Sequence, residues 1–589
     1  MGCLLKLHWI SEVLYKNTEY PITSGCPNLF EMLTMVFARL VPLTLLLANI
    51  VSARLPDGRL NANFRPPPTI PVIQAPGNSG PVTGRDGSEL PPYNTTYFFD
   101  QLIDHNNPSL GTFKQRFWHT YEFFEPGGPI ILMTPGEANA QPYTRYLTNA
   151  TINGLIAQQQ NGSVIILEHR FYGLSNPLPE LTGKNLAVHT LQQAIDDLEY
   201  FAKNVKLPMP NGDNLGPDKA PWILTGGSYS GALTGWTMVN KPGLFWAGYS
   251  SSGVVETIFD FWGYFEPIRQ NMPQNCSADV EAAIAHIDQV FSGKDQNAIQ
   301  KLKDNFGLGE IQHLDDAAGA LRNNLWDWQS LQPTSGSGTT FTRFCDALEV
   351  KDGKSAPPAG WGADHAVEAW GAFWRNTYLK QLCGNSDIVD CLGTYDANST
   401  FYTDTSIDNA GRSWFWIVCN QVGYLQDGPP KGQPAVVTRL VQPSSDIRQC
   451  QSMFPDVFAN TPPDMEGGVK RTNQEFHGWD LQVDKLFFAN GIRDPWREAT
   501  VAAQGANRHS TPRQILGLSD GFHCSDLSTA TGQVDGTVRD VQKKALEAFK
   551  GWLAEWPQKK REEIERRETV STGTPRRVHS WDREPAVMI

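Results

Sequence analysis

The segment Gly226-Gly227-Ser228-Tyr229-Ser230-Gly231 constrains this chain more than any other. A short apolar run, Trp222-Ile223-Leu224-Thr225, precedes it, and a stretch of helical character, Ala232 to Val239, follows. Strand, glycine turn, serine, helix is the order of a sharp elbow that lifts a serine oxygen clear of a sheet. Such a turn needs small residues on both sides, because strand and helix backbones come very close there. Gly226 meets that need two residues before Ser228. Two residues after it stands Ser230, where glycine is usual, and serine is small enough to fit. Taken alone, the segment also reads as an ordinary Gly/Ser turn before a helix.

The wider chain supplies partners for the serine. A hydroxyl is a poor nucleophile until a histidine takes its proton and a carboxylate fixes that histidine's tautomer. In hydrolases built on this elbow the order along the chain is Ser, Asp or Glu, His. Asp484 to Gly491 (DKLFFANG) reads as a buried strand ending in a turn, followed by Asp494-Pro495-Trp496. Arg513 to Leu518 (RQILGL) is a second such strand, followed by Ser519-Asp520-Gly521-Phe522-His523-Cys524. Each polar group lies just past a strand's carboxyl end, where open α/β sheets assemble their sites. An Asp before Pro or a His after Gly is by itself an ordinary loop residue. The three in this order and context make Ser228, Asp494 and His523 a candidate triad.

At 589 residues, with 40% hydrophobic and 11% aromatic content, the chain can bury a large core spread over two structural units. A formal charge of −13 argues against nucleic acid as a partner, since phosphate binding wants a basic face. No cofactor is expected, and no cysteine spacing resembles a CxxC metal or redox motif, so no metal site is expected either.

Residues 36–51 (VFARLVPLTLLLANIV) form an apolar run too short for a stable membrane span, followed by the small-residue ending Val51-Ser52-Ala53. This reads as a cleaved signal peptide of about 32–53, with translation starting at Met32 or Met35. Sequons at Asn94, Asn149, Asn161, Asn275 and Asn398 agree with the secretory route. The cysteines beyond the leader are Cys276, Cys345, Cys383, Cys391, Cys419, Cys450 and Cys524, and disulfides are the expected use in an oxidising compartment. The first six lie between 276 and 450, which marks that stretch as a unit needing staples. Cys524 reads as a small packed residue rather than a catalytic thiol.

Residues 54–92 are rich in Pro, Gly and Asn and read as a flexible arm or pro-segment unable to pack a core. From 93 to 255 apolar strands alternate with helical stretches, among them Pro129 to Met133, Ser163 to Leu167 and the amphipathic Leu191 to Asn204 with Ala194, Leu198 and Phe201 on one face. That alternation argues for a parallel sheet with helices on both sides. Residues 256–470 lose the rhythm and read as an inserted, mostly helical cap, with helices at Val280 to Phe291 and Gln296 to Phe306. The sheet resumes over 471–556 and ends with a helix from Val538 to Trp556; residues 557–589 read as a charged, disordered tail.

Several separated blocks resemble one serine peptidase family: the lysosomal Pro-Xaa carboxypeptidase, the lysosomal dipeptidyl peptidase and the fungal acid prolyl endopeptidases. The blocks are Phe98 to Phe117, Glu168-His169-Arg170-Phe171-Tyr172-Gly173, the elbow GGSYSG, Trp414 to Gln426, and the pair NGIRDPW and GFHCSDL. The resemblance spans roughly 95–555. It implies an α/β-hydrolase fold with an inserted, mostly helical, disulfide-bonded cap, and cleavage of peptides after proline or a small or apolar residue. It maps the nucleophile to Ser228, the carboxylate to Asp494 and the base to His523. Departures are Ser230 for glycine, Cys524 where animal relatives often carry a second histidine, and Phe171 for tyrosine. On proximity and resemblance together, the expected bridges are Cys383–Cys391, Cys419–Cys450 and Cys276–Cys345, with Cys524 free.

On this reading His523 deprotonates Ser228 and then protonates the leaving amine, while Asp494 orients the imidazole. The oxyanion is expected to meet the backbone N–H of Tyr229 and another from the loop after the 129–134 strand, at Gly136 or Glu137. Glu168-His169-Arg170 reads as a Glu–Arg pair bracing loops at a strand end. Trp496 is either core or an aromatic wall for a proline ring. Peptides are the expected partners, the expected location is extracellular or vacuolar/lysosomal, and oligomeric state stays open. Two other classes share these residues: a lipase or esterase on the same fold, and a binding protein that kept the scaffold without activity.

Overall fold

The inner strands form where apolar residues run consecutively, as in Ile130–Thr134, Ser163–Leu167 and Trp222–Gly227, and burial on both faces explains the unbroken runs. The computed structural model describes residues 55, 59–73, 80–506 and 510–557. The central sheet has eight strands: β1 Tyr97–Leu102, β2 Thr112–Thr120, β3 Ile130–Thr134, β4 Ser163–Leu167, β5 Trp222–Gly227 and β6 Ala247–Ser251, then β9 Leu486–Gly491 and β10 Gln514–Ser519. Between β6 and β9 a short parallel pair, β7 Ile258–Asp260 and β8 Gly423–Leu425, joins the beginning of the insertion to its later part. The spatial order in the large sheet is β1-β2-β4-β3-β5-β6-β9-β10.

The sheet is mixed rather than wholly parallel. β1 runs antiparallel to β2, and β2 antiparallel to β4, while every later pairing is parallel. The connection 103–111 between β1 and β2 is too short for a crossover, so these two strands can only make a hairpin. Strand alternation divides the apolar residues between two cores. Ile130, Leu132, Trp222 and Leu224 face one, and Ile131, Met133 and Ile223 face the other. Each such fully buried aliphatic side chain contributes roughly 1.5–3 kcal/mol.

Helix α1 (Ile152–Gln160) and the C-terminal helix α4 (Gly536–Ala554) pack against the second core, and α2 (Leu191–Asn204) and α3 (Tyr229–Asn240) against the first. The capping Thr190 hydroxyl accepts from Gln193 N–H, and Ala194, Leu198 and Phe201 are all buried. The insertion is mainly short helices, including Gln274–Phe291 and Gln296–Asn305. It carries the bonds Cys276–Cys345, Cys383–Cys391 and Cys419–Cys450; Cys524 is a free, buried thiol. None of these bridges reaches the large sheet. Eight sheet strands of this order with an inserted helical cap constitute an α/β-hydrolase fold.

One expectation fails clearly. The Pro-rich segment does pack: Asn61 and Ala62 are fully buried, and Phe64, Arg65 and Ile70 nearly so. Its apolar residues are few, but the Asn61 and Asn63 side-chain amides donate to cap carbonyls, so hydrogen bonds supply what apolar area does not. The expected signal peptide and nearly all of the expected disordered tail lie outside the described residues. Among the described residues no helix is long and apolar enough to cross a membrane.

Candidate active site

Ser228 sits between β5 and α3 with φ 57° and ψ −126°, a backbone conformation that costs a non-glycine residue about 1–3 kcal/mol. The surroundings hold it there. Its N–H donates to Ser251 O at 2.9 Å and its carbonyl accepts from Ala232 N–H at 3.0 Å. A Cβ at Gly226 would lie 2.2 Å from Ser230 O, and one at Gly231 2.7 Å from Ser251 O, so both positions must be glycine. Ser230 fits because its neighbour across the turn is Gly136, in the left-handed region at φ 82°, where a Cβ would meet Ser230 Cβ at 3.3 Å.

Asp494 and His523 follow β9 and β10, neighbours in the sheet. His523 Nδ1 lies 2.9 and 3.1 Å from the two Asp494 carboxylate oxygens. Asp494 Oδ1 also accepts from Trp496 N–H at 2.9 Å, which fixes the carboxylate. Burial favours the neutral ring, but the Asp494 charge outweighs it and holds the His523 imidazolium well above the ordinary histidine range. His523 Nε2 and Ser228 Oγ are both buried and, among the described residues, neither has a hydrogen-bond partner. The loops carrying them touch: Cys524 N–H donates to Ser252 Oγ at 3.0 Å, and Cys524 Sγ lies 3.0 Å from the Cβ position of Gly227. Cys524 itself is a packed residue whose thiol is pushed up by burial, which disfavours a thiolate. Behind it Asp526, raised to about 6 by burial, accepts from Tyr249 OH at 2.6 Å and Ser251 Oγ at 2.8 Å and ties the His523 loop to β6.

The loop after β3 reaches the same point. Gly136 N–H donates to Thr134 Oγ1 at 3.3 Å. Glu137 is buried, and among the described residues no other side chain or backbone group hydrogen-bonds either carboxylate oxygen. Burial pushes its carboxyl up to about 8, with the His523 charge pulling the other way. Sequence reasoning weighed only the Glu137 backbone; a lone Glu in a Gly-containing loop gives no sign that its side chain will be buried.

Trp496 is buried, with its ring 5.7 Å from Phe261, 5.3 Å from Tyr264, 5.4 Å from Tyr424 and 6.4 Å from the His523 ring. Its Nε1 donates to Gln329 Oε1 at 2.8 Å, so the indole is clamped in an aromatic box beside the imidazole. The three box partners come from the insertion and carry no pattern that separates them from core aromatics.

The Glu168-His169-Arg170 block departs from expectation. Glu168 and Arg170 do not pair with each other. Glu168 takes Arg116 of β2 at 2.6 and 2.8 Å, and Arg170 takes Asp197 of α2 at 2.6 Å. β2 lies beside β4 in the sheet, which puts Arg116 within reach of Glu168, while Arg170 turns to the helix layer. His169 is kept neutral by burial, its value lowered to about 4, and its Nε2 sits 3.1 Å from Tyr229 OH, so it braces the residue after the serine. Of the sequon asparagines, Asn94, Asn149 and Asn398 are exposed. Asn161 is half-buried and its side chain already meets Arg85 and Glu125, and Asn275 is half-buried beside the Cys276 bridge.

An α/β-hydrolase with a buried Asp–His pair beside a strained elbow serine is the class defined by this fold and site. The family described as "Serine carboxypeptidase S28" matches residues 101–544, and the chain belongs to that family of serine peptidases. It is similar to "Serine protease vicPb" of Bipolaris victoriae, 33% identical over 477 residues, covering 78% of this chain and 89% of that one. It is also similar to "Probable extracellular serine carboxypeptidase" of Arthroderma benhamiae, at 31% identity over 75% of this chain and 64% of that one. The human "Thymus-specific serine protease" is 24% identical over 77% of this chain and 86% of that protein.

Proposed function

We propose that this chain is a secreted or vacuolar/lysosomal serine peptidase that cuts after proline or a small or apolar residue through an acyl-enzyme. The observation that carries this reading is the strained Ser228 elbow beside the buried Asp494–His523 pair. His523 Nε2 takes the Ser228 proton as Oγ attacks the peptide carbonyl, and the same nitrogen then protonates the leaving amine. Asp494 fixes the tautomer and stabilises the imidazolium.

The oxyanion is held by Tyr229 N–H, the first amide of α3, and by the loop after β3. The loop after β3 offers the amides of Gly136 and Glu137 for the second donor, with Gly136 N–H engaged by Thr134 Oγ1 at 3.3 Å. The Glu137 carboxyl is neutral below about 8, so it can donate as well as accept. Losing one such donor typically costs about 10²–10³ in rate. The box of Trp496, Phe261, Tyr264 and Tyr424 offers flat aromatic faces to a proline ring on the amino side of the cleaved bond.

Mass spectrometry of products from a mixed peptide library, across acidic to neutral pH, tests the reading. Products ending in proline, alanine or another small apolar residue support it. Cleavage without preference at that position, or hydrolysis of fatty-acid esters alone, contradicts it.

A further inference from the structure

The catalytic candidates are closed off from solvent: Ser228 is 0% and His523 1% exposed. The chain's own Pro-rich segment, residues 59–73, runs close to them. Its first half is seated in the cap. Ala62 N–H donates to Cys391 O at 2.7 Å, and the Asn63 side chain donates to Asp316 O at 2.8 Å and Leu392 O at 2.6 Å. Arg65 makes a buried ion pair with Asp446 and donates to Tyr424 O at 2.7 Å. The Tyr424 ring is part of the aromatic box around Trp496, beside His523.

The second half is seated on the opposite core of the sheet. Tyr143 OH donates to Ile70 O at 3.4 Å and Tyr146 OH to Pro71 O at 2.7 Å. An Ile70 methyl lies 2.6 Å from the Cβ position of Gly227, the residue before the serine, and Cys524 Sγ lies 3.0 Å from that same point. Tyr143 follows the loop that carries Gly136 and Glu137, and Cys524 follows His523. Between Arg65 and Ile70 runs Pro66-Pro67-Pro68-Thr69. A proline run stays extended at about 3.1 Å per residue, so these few residues bridge ~15 Å. The chain therefore meets the cap at a residue of the aromatic box and the sheet at the residue before the serine, with the proline run spanning the distance between them.

We propose that residues 59–73 are an inhibitory strap: the chain's own proline-rich segment lies across the catalytic centre, joins cap to sheet, and keeps substrate out until it is displaced or cut away. The proposal rests on the peptidase reading above. No cap disulfide reaches the sheet, so this strap is a covalently continuous tie between the two layers at the cleft. The turn that follows, Gly84 to Ser88, is largely exposed, with Arg85 and Asp86 at its surface, and a cut there severs the strap from β1. A covering segment slows the reaction in proportion to the time it spends seated.

The test is the rate at which a fluorophosphonate labels Ser228 in the full-length protein. Ile70→Gly, which removes the wedge under the elbow, and Phe64→Ala, which removes its aromatic contacts with Phe401 and Phe415 in the cap, should each raise that rate by about tenfold or more. A synthetic peptide of residues 59–73 should slow the variants again. Unchanged or slower labelling in folded variants overturns the strap and leaves a structural tie. Should the variants fail to fold, trypsin cleavage of wild type after Arg85 serves instead: faster labelling as that bond is cut supports the strap, and no rise after complete cutting overturns it. Absence of label in every form overturns the peptidase reading, and the strap with it.

Discussion

His523 Nδ1 lies 2.9 Å from Asp494 Oδ1, inside a region where both side chains are almost wholly shielded from water. Asp494 is the cause that raises the His523 value against burial. Asp494→Asn should therefore lower it, and the acid limb of kcat/KM should move to lower pH in the residual activity. The same change should reduce kcat by about 10⁴, because an amide favours the wrong tautomer. An acid limb that stays put or moves up would count against Asp494 as the partner of the base.

Glu137 gives the opposite limb. Its carboxyl is raised to about 8 and donates only while protonated, so activity should fall as pH rises through that value. Glu137→Gln keeps a donor without a titrating proton, and should retain activity while flattening the alkaline limb. Stability carries the same sign. A raised carboxyl stabilises the fold fully below its unfolded value of about 4.3, and that stability is lost as pH rises through about 8. Thermal melts of Glu137→Gln across pH 4–9 should fall less steeply than those of wild type.

Asp197 illustrates the depressed case. Its carboxyl is lowered by Arg170, with His105 adding to the effect, although burial opposes both. This stability is present above the unfolded value and is lost as pH falls through the lowered one. Asp197→Ala strands Arg170 without its carboxylate and should cost about 3–5 kcal/mol by denaturant unfolding. A loss below about 1 kcal/mol would mean that the buried pair is not formed.

Gly136 sits in the loop after β3 with its backbone in the left-handed region. Gly136→Ala places a methyl group at φ 82° and 3.3 Å from Ser230 Cβ. The substitution should cost about 1–2 kcal/mol and lower kcat more than it raises KM. Adding Ser230→Gly should recover part of the loss, since it removes the contacted atom.

Much of this architecture was legible because the informative residues are local. The strands 222–225, 484–491 and 513–518 announce themselves as apolar runs, and each polar group stands within a few residues of a strand end. What stayed hidden depends on distant contacts. Glu168 faces Arg116 only because β2 runs antiparallel beside β4, and nothing near residue 168 signals that strand order. The arm 59–73 looks disordered by composition. Its packing rests on backbone acceptors in the cap, and a sequence pattern does not display those. Glu137 reads as a loop carboxylate until the loop is folded against the elbow.

The central claim is that Ser228 forms the acyl-enzyme, and trapping tests it most directly. The full-length protein is incubated with a peptidyl fluorophosphonate ending in proline, digested, and mapped by mass spectrometry. The account predicts one adduct on Ser228, loss of peptide hydrolysis in step with labelling, and no adduct in Ser228→Ala. Peptide hydrolysis that survives full labelling, or an adduct on another residue that tracks inactivation, would contradict it.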